Sequence, residues 1–210
     1  MAKAQAITGL ETQVPTEQNA RIIVRMRLAD LYAYMDYIES PANIQELHDM
    51  RIAAKRLRYT LEIFADYLPA ASQGIAEELA NLQDELGALH DSEVILALLR
   101  LSLQKAENTV AKRKSETELA SQRKALLSQE MLTSLLDTSS TPVLSGGERH
   151  GLESFLRRQE RRREQSYATF RQHWDQLEQR HFRVEILALL AQGKHEDEVE
   201  EDISHSKEGK

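Results

Sequence analysis

The chain has 210 residues, a formal net charge of −7, 41% hydrophobic and 29% charged residues, 8 Gly, 4 Pro and no Cys. That length suits one domain, or at most two small ones, with a core that needs no disulfide or metal staple. The lack of Cys excludes a disulfide scaffold, a thiol nucleophile and a thiolate metal site, and no apolar run approaches the ~20 residues of a membrane span.

From Met1 to Asn19 there is no apolar h-region, so no secretory signal is expected and the cytoplasm is the expected compartment. Gly and Pro are sparse and cut the chain into long apolar-periodic segments, with no sustained strand alternation. The pattern predicts an all-α bundle with helices near 17–39, 43–67, 73–104, 105–137 and 149–191. Residues 1–15 form an N-terminal tail, 16–193 the helical domain and 194–210 a C-terminal tail. Pro41 stops the first helix, and Asn43 with Glu46 has the pattern of a capping box at the start of the second. Leu47, Met50, Ala54, Leu57, Leu61 and Phe64 give that helix its core stripe. In the third, Leu79, Leu82, Leu86, Val94, Ala97 and Leu101 do the same, with Gly87 a place where the helix is bent or interrupted. The segment from Asp137 to Gly147 is the main internal loop, and Ser145-Gly146-Gly147-Glu148 breaks the chain before the last helix. There Leu152, Phe155, Leu156, Phe170, Trp174 and Leu177 form the apolar stripe.

Charge is unevenly spread. Residues 194–210 hold Glu196, Asp197, Glu198, Glu200, Glu201, Asp202 and Glu208 against three Lys, the composition of a solvated, disordered tail. Residues 51–58 hold four basic residues and no acid, and 157–163 hold five basic residues and one acid. An acidic chain therefore carries local basic surfaces, and such patches inform partners better than net charge does.

The second helix carries the sharpest signal. At about 100° per residue, His48, Arg51, Lys55 and Arg58 fall on one narrow stripe, opposite the Leu57 face. Glu62 extends the stripe and pairs with Arg58 at i+4. A solvated helix face would alternate acids with bases, and no acid lies between 51 and 58. Two further polar groups sit in apolar register. Arg163, with Gln159, falls in the stripe of Leu156, Phe170 and Trp174, and His90 falls in that of Leu86 and Val94. A guanidinium in an apolar seam is costly unless paired or wet, so the pattern allows either snorkelling or a polar interior.

These residues carry a resemblance. Leu47-His48-Asp49-Met50-Arg51-Ile52-Ala53-Ala54-Lys55-Arg56-Leu57-Arg58-Tyr59 resembles the signature block of the CHAD domain, the conserved histidine α-helical domain. Leu86-Gly87-Ala88-Leu89-His90-Asp91-Ser92-Glu93-Val94 is similar to its second block, where Arg is common at the position of His90. The basic opening from Ala20 and Arg21 to Arg27 resembles the first helix of the family. The Arg-rich segment with Tyr167, Phe170 and Trp174 resembles its closing helices, so the likeness spans roughly 20–191. The resemblance implies a helical bundle with a basic central channel that binds inorganic polyphosphate, without chemistry and without a cofactor or metal. It implies Arg21 and Arg25, then His48, Arg51, Lys55, Arg56 and Arg58, then His90, then Arg158, Arg162 and Arg163 as the binding residues. Family members are associated with polyphosphate granules and are often fused to a triphosphate-tunnel (CYTH) enzyme domain. No Glu-x-Glu-x-Lys motif of that partner is present, which suggests a stand-alone module. Full-length members usually have two related halves, and this chain has one strong block, so a homodimer would complete a channel.

The chemistry suits the implied ligand. Polyphosphate has about one charge per internal phosphate and no base edges. A line of cations about one helical turn apart, ~5.4 Å, matches it. Arg offers phosphate a planar fork, Lys a point charge, and histidine a stronger donor when protonated near its unperturbed ~6.5. Rival readings are weaker. His48-Asp49 and His90-Asp91 are similar to the His-Asp pairs of HD-type metal phosphohydrolases, but no His precedes His48, and a cation site there would meet Arg51, Lys55 and Arg58. No two His stand at i, i+4, which speaks against chelation. A scaffold for nucleic acid or a protein partner is the runner-up. It lacks a recognition-helix motif, and most of the few aromatics read as core rather than as a stacking platform.

Overall fold

The computed structural model describes residues 6–114 and 145–192. The expected acidic tail and most of the expected helix at 105–137 lie outside those residues. Among them every regular element is helical: α1 (Thr16–Tyr32), a 3-10 turn at Met35–Tyr37, α2 (Ile44–Ile63), a 3-10 turn at Ala65–Tyr67, α3 (Ser72–Lys114), α4 (Gly146–Gln179) and α5 (Phe182–Leu189). The protein is all-α, as its periodicity predicts.

The chain divides into two compact units, Met1–His90 with Glu164–Lys210, and Asp91–Arg163. The core of the first is built from one face of each helix. Ala20, Val24, Leu28 and Leu31 come from α1, and Leu47, Met50, Ala54, Leu57 and Leu61 from α2. Leu79, Leu82, Leu86 and Leu89 of α3 join them, with Phe170, Trp174 and Leu177 of α4 and Phe182 and Ile186 of α5. Tyr32 packs on Trp174 with ring centroids 5.5 Å apart, and its hydroxyl donates to Glu178 at 3.0 Å. Burial, and then the Glu178 carboxylate, push that phenol well above its ordinary value.

Helix ends depart from the sequence reading where tertiary contacts intervene. The first helix stops at Tyr32 rather than 39, because Ile38 turns into the core and its carbonyl accepts the Tyr167 hydroxyl at 2.8 Å. Tyr167→Phe is therefore expected to cost about 0.5–1.5 kcal/mol in a denaturant titration, the net worth of one hydrogen bond. The Asn43–Glu46 capping box does not form. The Asn43 side chain makes no cap bond and donates instead to the Tyr37 carbonyl at 2.8 Å. A capping box does form at Ser145, whose backbone N–H donates to Glu148 Oε2 at 2.7 Å while Glu148 N–H donates to Ser145 Oγ at 3.3 Å. The second helix ends at Ile63, with a 3-10 turn carrying the chain to Tyr67.

Helix α3 runs unbroken through both Gly87 and residue 104, where the sequence suggested a bend and a boundary. The expected last helix is instead two, parted at Arg180 and His181. His181 takes a left-handed conformation, φ 59°, rare outside Gly and costing about 1–2 kcal/mol. That turn lets α5 fold Phe182 and Ile186 into the core, both fully buried.

In the second unit Leu96 and Leu99 are buried. Val94 and Ala97 are exposed, contrary to the predicted stripe. From Leu86 the inward face continues by a three-residue step to Leu89, not by a four-residue step to His90. Phe155 is likewise exposed and Leu152 and Leu156 only half-buried. Gln159 is buried at 5% exposure and Arg163 is half-buried, so the polar intrusion read from the last helix is real. Arg163 is not a snorkelling cation. It lies 3.2 Å from Glu93, whose side chain is 10% exposed.

Candidate functional site

Helix α2 turns its Leu57 side to the core and leaves His48, Arg51, Lys55 and Arg58 on another face, as spacing requires. The upper half of that face is not free surface. His48 and His90 meet with ring centroids 4.4 Å apart and planes tilted by 36°. One turn along, Arg51 lies across Gly87 of α3. A Cβ at Gly87 would stand 3.4 Å from Arg51 Nε and 3.8 Å from Nη2. The Arg51 guanidinium thus packs over Gly87 at ordinary contact distance, and the helix runs on through the glycine. The His48 block and the His90 block, 42 residues apart in sequence, form one seam between α2 and α3.

The seam is short of hydrogen-bond partners. Nδ1 of His48, Nδ1 of His90, Nε of Arg51 and Nε of Arg58 are buried and have no partner among the described residues. Leaving a buried polar group unpaired costs about 1–3 kcal/mol, so three along the α2 stripe with His90 beside it prepare the site for a ligand with several acceptor oxygens. Burial, and then the neighbouring His90 ring, hold His48 below its ordinary pKa, with Asp49 opposing and Arg51 adding to the depression. His48 without a ligand is therefore mostly neutral at pH 7.

Toward the other end the stripe opens to solvent. Lys55 is exposed and sits 5.4 Å from the centroid of the Tyr59 ring. Arg58 covers the same ring at 4.7 Å and pairs with Glu62 at 3.3 Å, the predicted i+4 pair. Tyr59 is itself 42% exposed, and Tyr37 and Tyr67 are each 44% exposed. Most aromatics are core, as expected, with Tyr32, Phe170, Trp174 and Phe182 buried and Tyr34, Phe64 and Tyr167 packed against them, and these three tyrosines are among the exceptions.

The remaining expected binding residues are placed differently. Arg21 is engaged by Glu17 and by the Gln192 carbonyl. Arg25 is exposed on α1 and Arg56 half-buried on α2. Arg158, Arg162 and Arg163 belong to the second unit, the first two exposed and the third paired with Glu93.

His173, which spacing did not single out, shows what a structural histidine looks like here. Its Nδ1 lies 2.9 Å from Glu85 and its Nε2 3.1 Å from Glu78, which also accepts from Arg180 at 2.8 Å. Burial alone would raise the Glu78 carboxyl, but hydrogen bonds from Arg180 and His173 bring it below its ordinary value. Beside it is a cleft of about 500 Å³ lined by Asn81, Asp84, Glu85, Thr169, Gln172, His173 and Gln176, acidic and amide-rich, and so unsuited to an anion. Among the described residues no three His, Asp or Glu side chains converge as a metal site, and no helix is long and apolar enough to cross a membrane.

Gly87 offers a direct check on the seam. An Ala methyl there would make ordinary contact with Arg51, and mid-helix Gly costs about 0.5–1 kcal/mol relative to Ala. Gly87→Ala is therefore expected to raise the unfolding free energy by up to that amount.

The architecture defines a class: an all-helical protein in which two stacked histidines and a row of cations share an interhelical seam with unsatisfied donors. Residues 2–100 match the family model of the CHAD domain, and both histidine blocks fall within that match. The match ends at residue 100, so the likeness read in the Arg-rich last helix is not part of it. No curated protein and no solved structure shows significant similarity to the chain.

Proposed function

We propose that the protein binds inorganic polyphosphate along the α2 stripe and performs no chemistry of its own. One observation carries the reading: His48, Arg51 and Arg58 along one face of α2, with His90 of α3 beside His48, present buried, unpartnered nitrogens, and Lys55 lies on the same face. A linear polyanion satisfies several of these groups at once. A compact one such as pyrophosphate reaches one or two. The CHAD match supports a polyphosphate-related role in general terms.

A second reading, single-stranded nucleic acid, draws on Tyr59, exposed and flanked by Lys55 and Arg58, the elements of a base-stacking platform. The test is a side-by-side binding assay with long-chain polyphosphate, pyrophosphate and single-stranded DNA. With about five phosphates neutralised and a single-strand slope of ~0.7 each, polyphosphate affinity is expected to fall roughly a hundredfold between ~50 and ~200 mM salt. DNA bound as tightly as polyphosphate at equal charge would favour the second reading. No binding of long polyphosphate would end the first.

A further inference from the structure

We propose that anion binding at the seam takes up a proton on the His48–His90 pair, making the site a pH-gated one that grips its ligand more tightly as pH falls. The inference rests on the polyphosphate reading and extends it to regulation. Two imidazoles stand 4.4 Å apart, and each has a buried Nδ1 without a partner. Arg51 lies on the same stripe one turn along α2, its Nε also unpartnered. If both rings carried a proton, they would place two like charges beside a fixed third, Arg51, with Asp49 as the opposing carboxylate acting on His48. Asp49 and Arg51 from α2 and His90 from α3 are the charged or titratable groups acting on His48 among the described residues, and their balance, with burial, disfavours its cation.

A phosphate oxygen at the seam reverses that balance. It accepts from a protonated Nδ1 and adds its negative charge to that of Asp49. His173 is the internal contrast, since both its nitrogens already have carboxylate partners.

The sign follows from linkage. Binding raises the pKa of His48 from a depressed starting value. The proton-dependent gain in affinity is then fully present below the unliganded pKa and is lost as pH rises through the liganded one. With one proton taken up, affinity changes by up to about tenfold per pH unit inside that window.

Calorimetry with long-chain polyphosphate tests this, in buffers of equal pH 7 and salt but different ionisation enthalpy. The observed enthalpy is expected to vary with the buffer, with a slope of roughly half to one proton taken up per site. His48→Gln and His90→Gln should each reduce the uptake, and His150→Gln, on an exposed position of α4, should not. Proton NMR of the unsubstituted protein keeps the test independent of variant folding, since polyphosphate should move the His48 ring titration to higher pH. Buffer-independent enthalpy, or uptake unchanged in both Gln variants, would overturn the proposal while polyphosphate binding stood. Absence of polyphosphate binding would remove it together with the functional reading.

Discussion

Reversing Arg51 and Arg58 to Glu together is expected to weaken long-chain polyphosphate binding by a hundredfold or more at ~100 mM salt. Each change replaces an attraction with a repulsion. At ~1–2 kcal/mol per reversal near a wet surface, the pair amounts to about 3 kcal/mol. The fold should survive. Neither residue belongs to the apolar core, and Glu at position 51 would lie one turn from His48, which can answer it with a proton. At position 58 the new charge would meet Glu62 one turn on, a like-charge i+4 contact that costs only ~0.2–0.5 kcal/mol. Filter binding, with circular dichroism on the same samples, measures both halves of the expectation. A variant with the parental helical spectrum and undiminished affinity would show that the stripe is an ordinary solvated face.

Arg163→Met is expected to destabilise the protein by about 2 kcal/mol, although an apolar residue matches the helix stripe on which Arg163 lies. Arg163 lies 3.2 Å from Glu93, and the Glu93 side chain is almost fully covered. Removing the cation leaves a nearly buried carboxylate without its counter-charge, and breaking one side of such a pair costs more than the pair contributes. The pair is close but not well aligned, since Glu93 Oε1 and Arg163 Nε lack hydrogen-bond partners. Removing both charges should therefore recover most of the loss, and Glu93→Leu with Arg163→Met is expected to unfold within ~1 kcal/mol of the parent. Urea titrations of the two single variants and the double variant measure the coupling. A stable single Met variant would mean that water already carries the Glu93 charge. An equally unstable double variant would mean that the site is wet rather than waiting for apolar filling.

These two cases divide what periodicity can reveal from what it cannot. The 3.6-residue repeat places a side chain at an angle around its own helix. It was enough to put His48, Arg51, Lys55 and Arg58 on one stripe, to set Leu47, Met50, Ala54, Leu57 and Leu61 on the core face, and to find Gln159 and Arg163 in apolar register. The i+4 spacing of Arg58 and Glu62 likewise predicted their contact. All of these are properties of a single helix.

Where two angles were nearly equal, only packing chose. After Leu86, the steps to Leu89 and to His90 differ by one residue, and the choice buried Leu89, Leu96 and Leu99 and left Val94 outside. Asn43 had the chemistry of a cap but found the Tyr37 carbonyl closer to hand. A left-handed turn at His181 is uncommon for any residue but Gly, and the burial of Phe182 and Ile186 beyond it supplies the reason.

The candidate site shows the same division. Its cations were legible because charge and spacing are written along α2. Its defining contacts were not, because Gly87 and His90 come from α3, and nothing written along α2 says what lies across from it. Composition and period by themselves determined an all-helical protein with a basic stripe. Tertiary structure decided which groups on that stripe were left without partners, because hydrogen-bond satisfaction is a relation between helices and no single helix contains it.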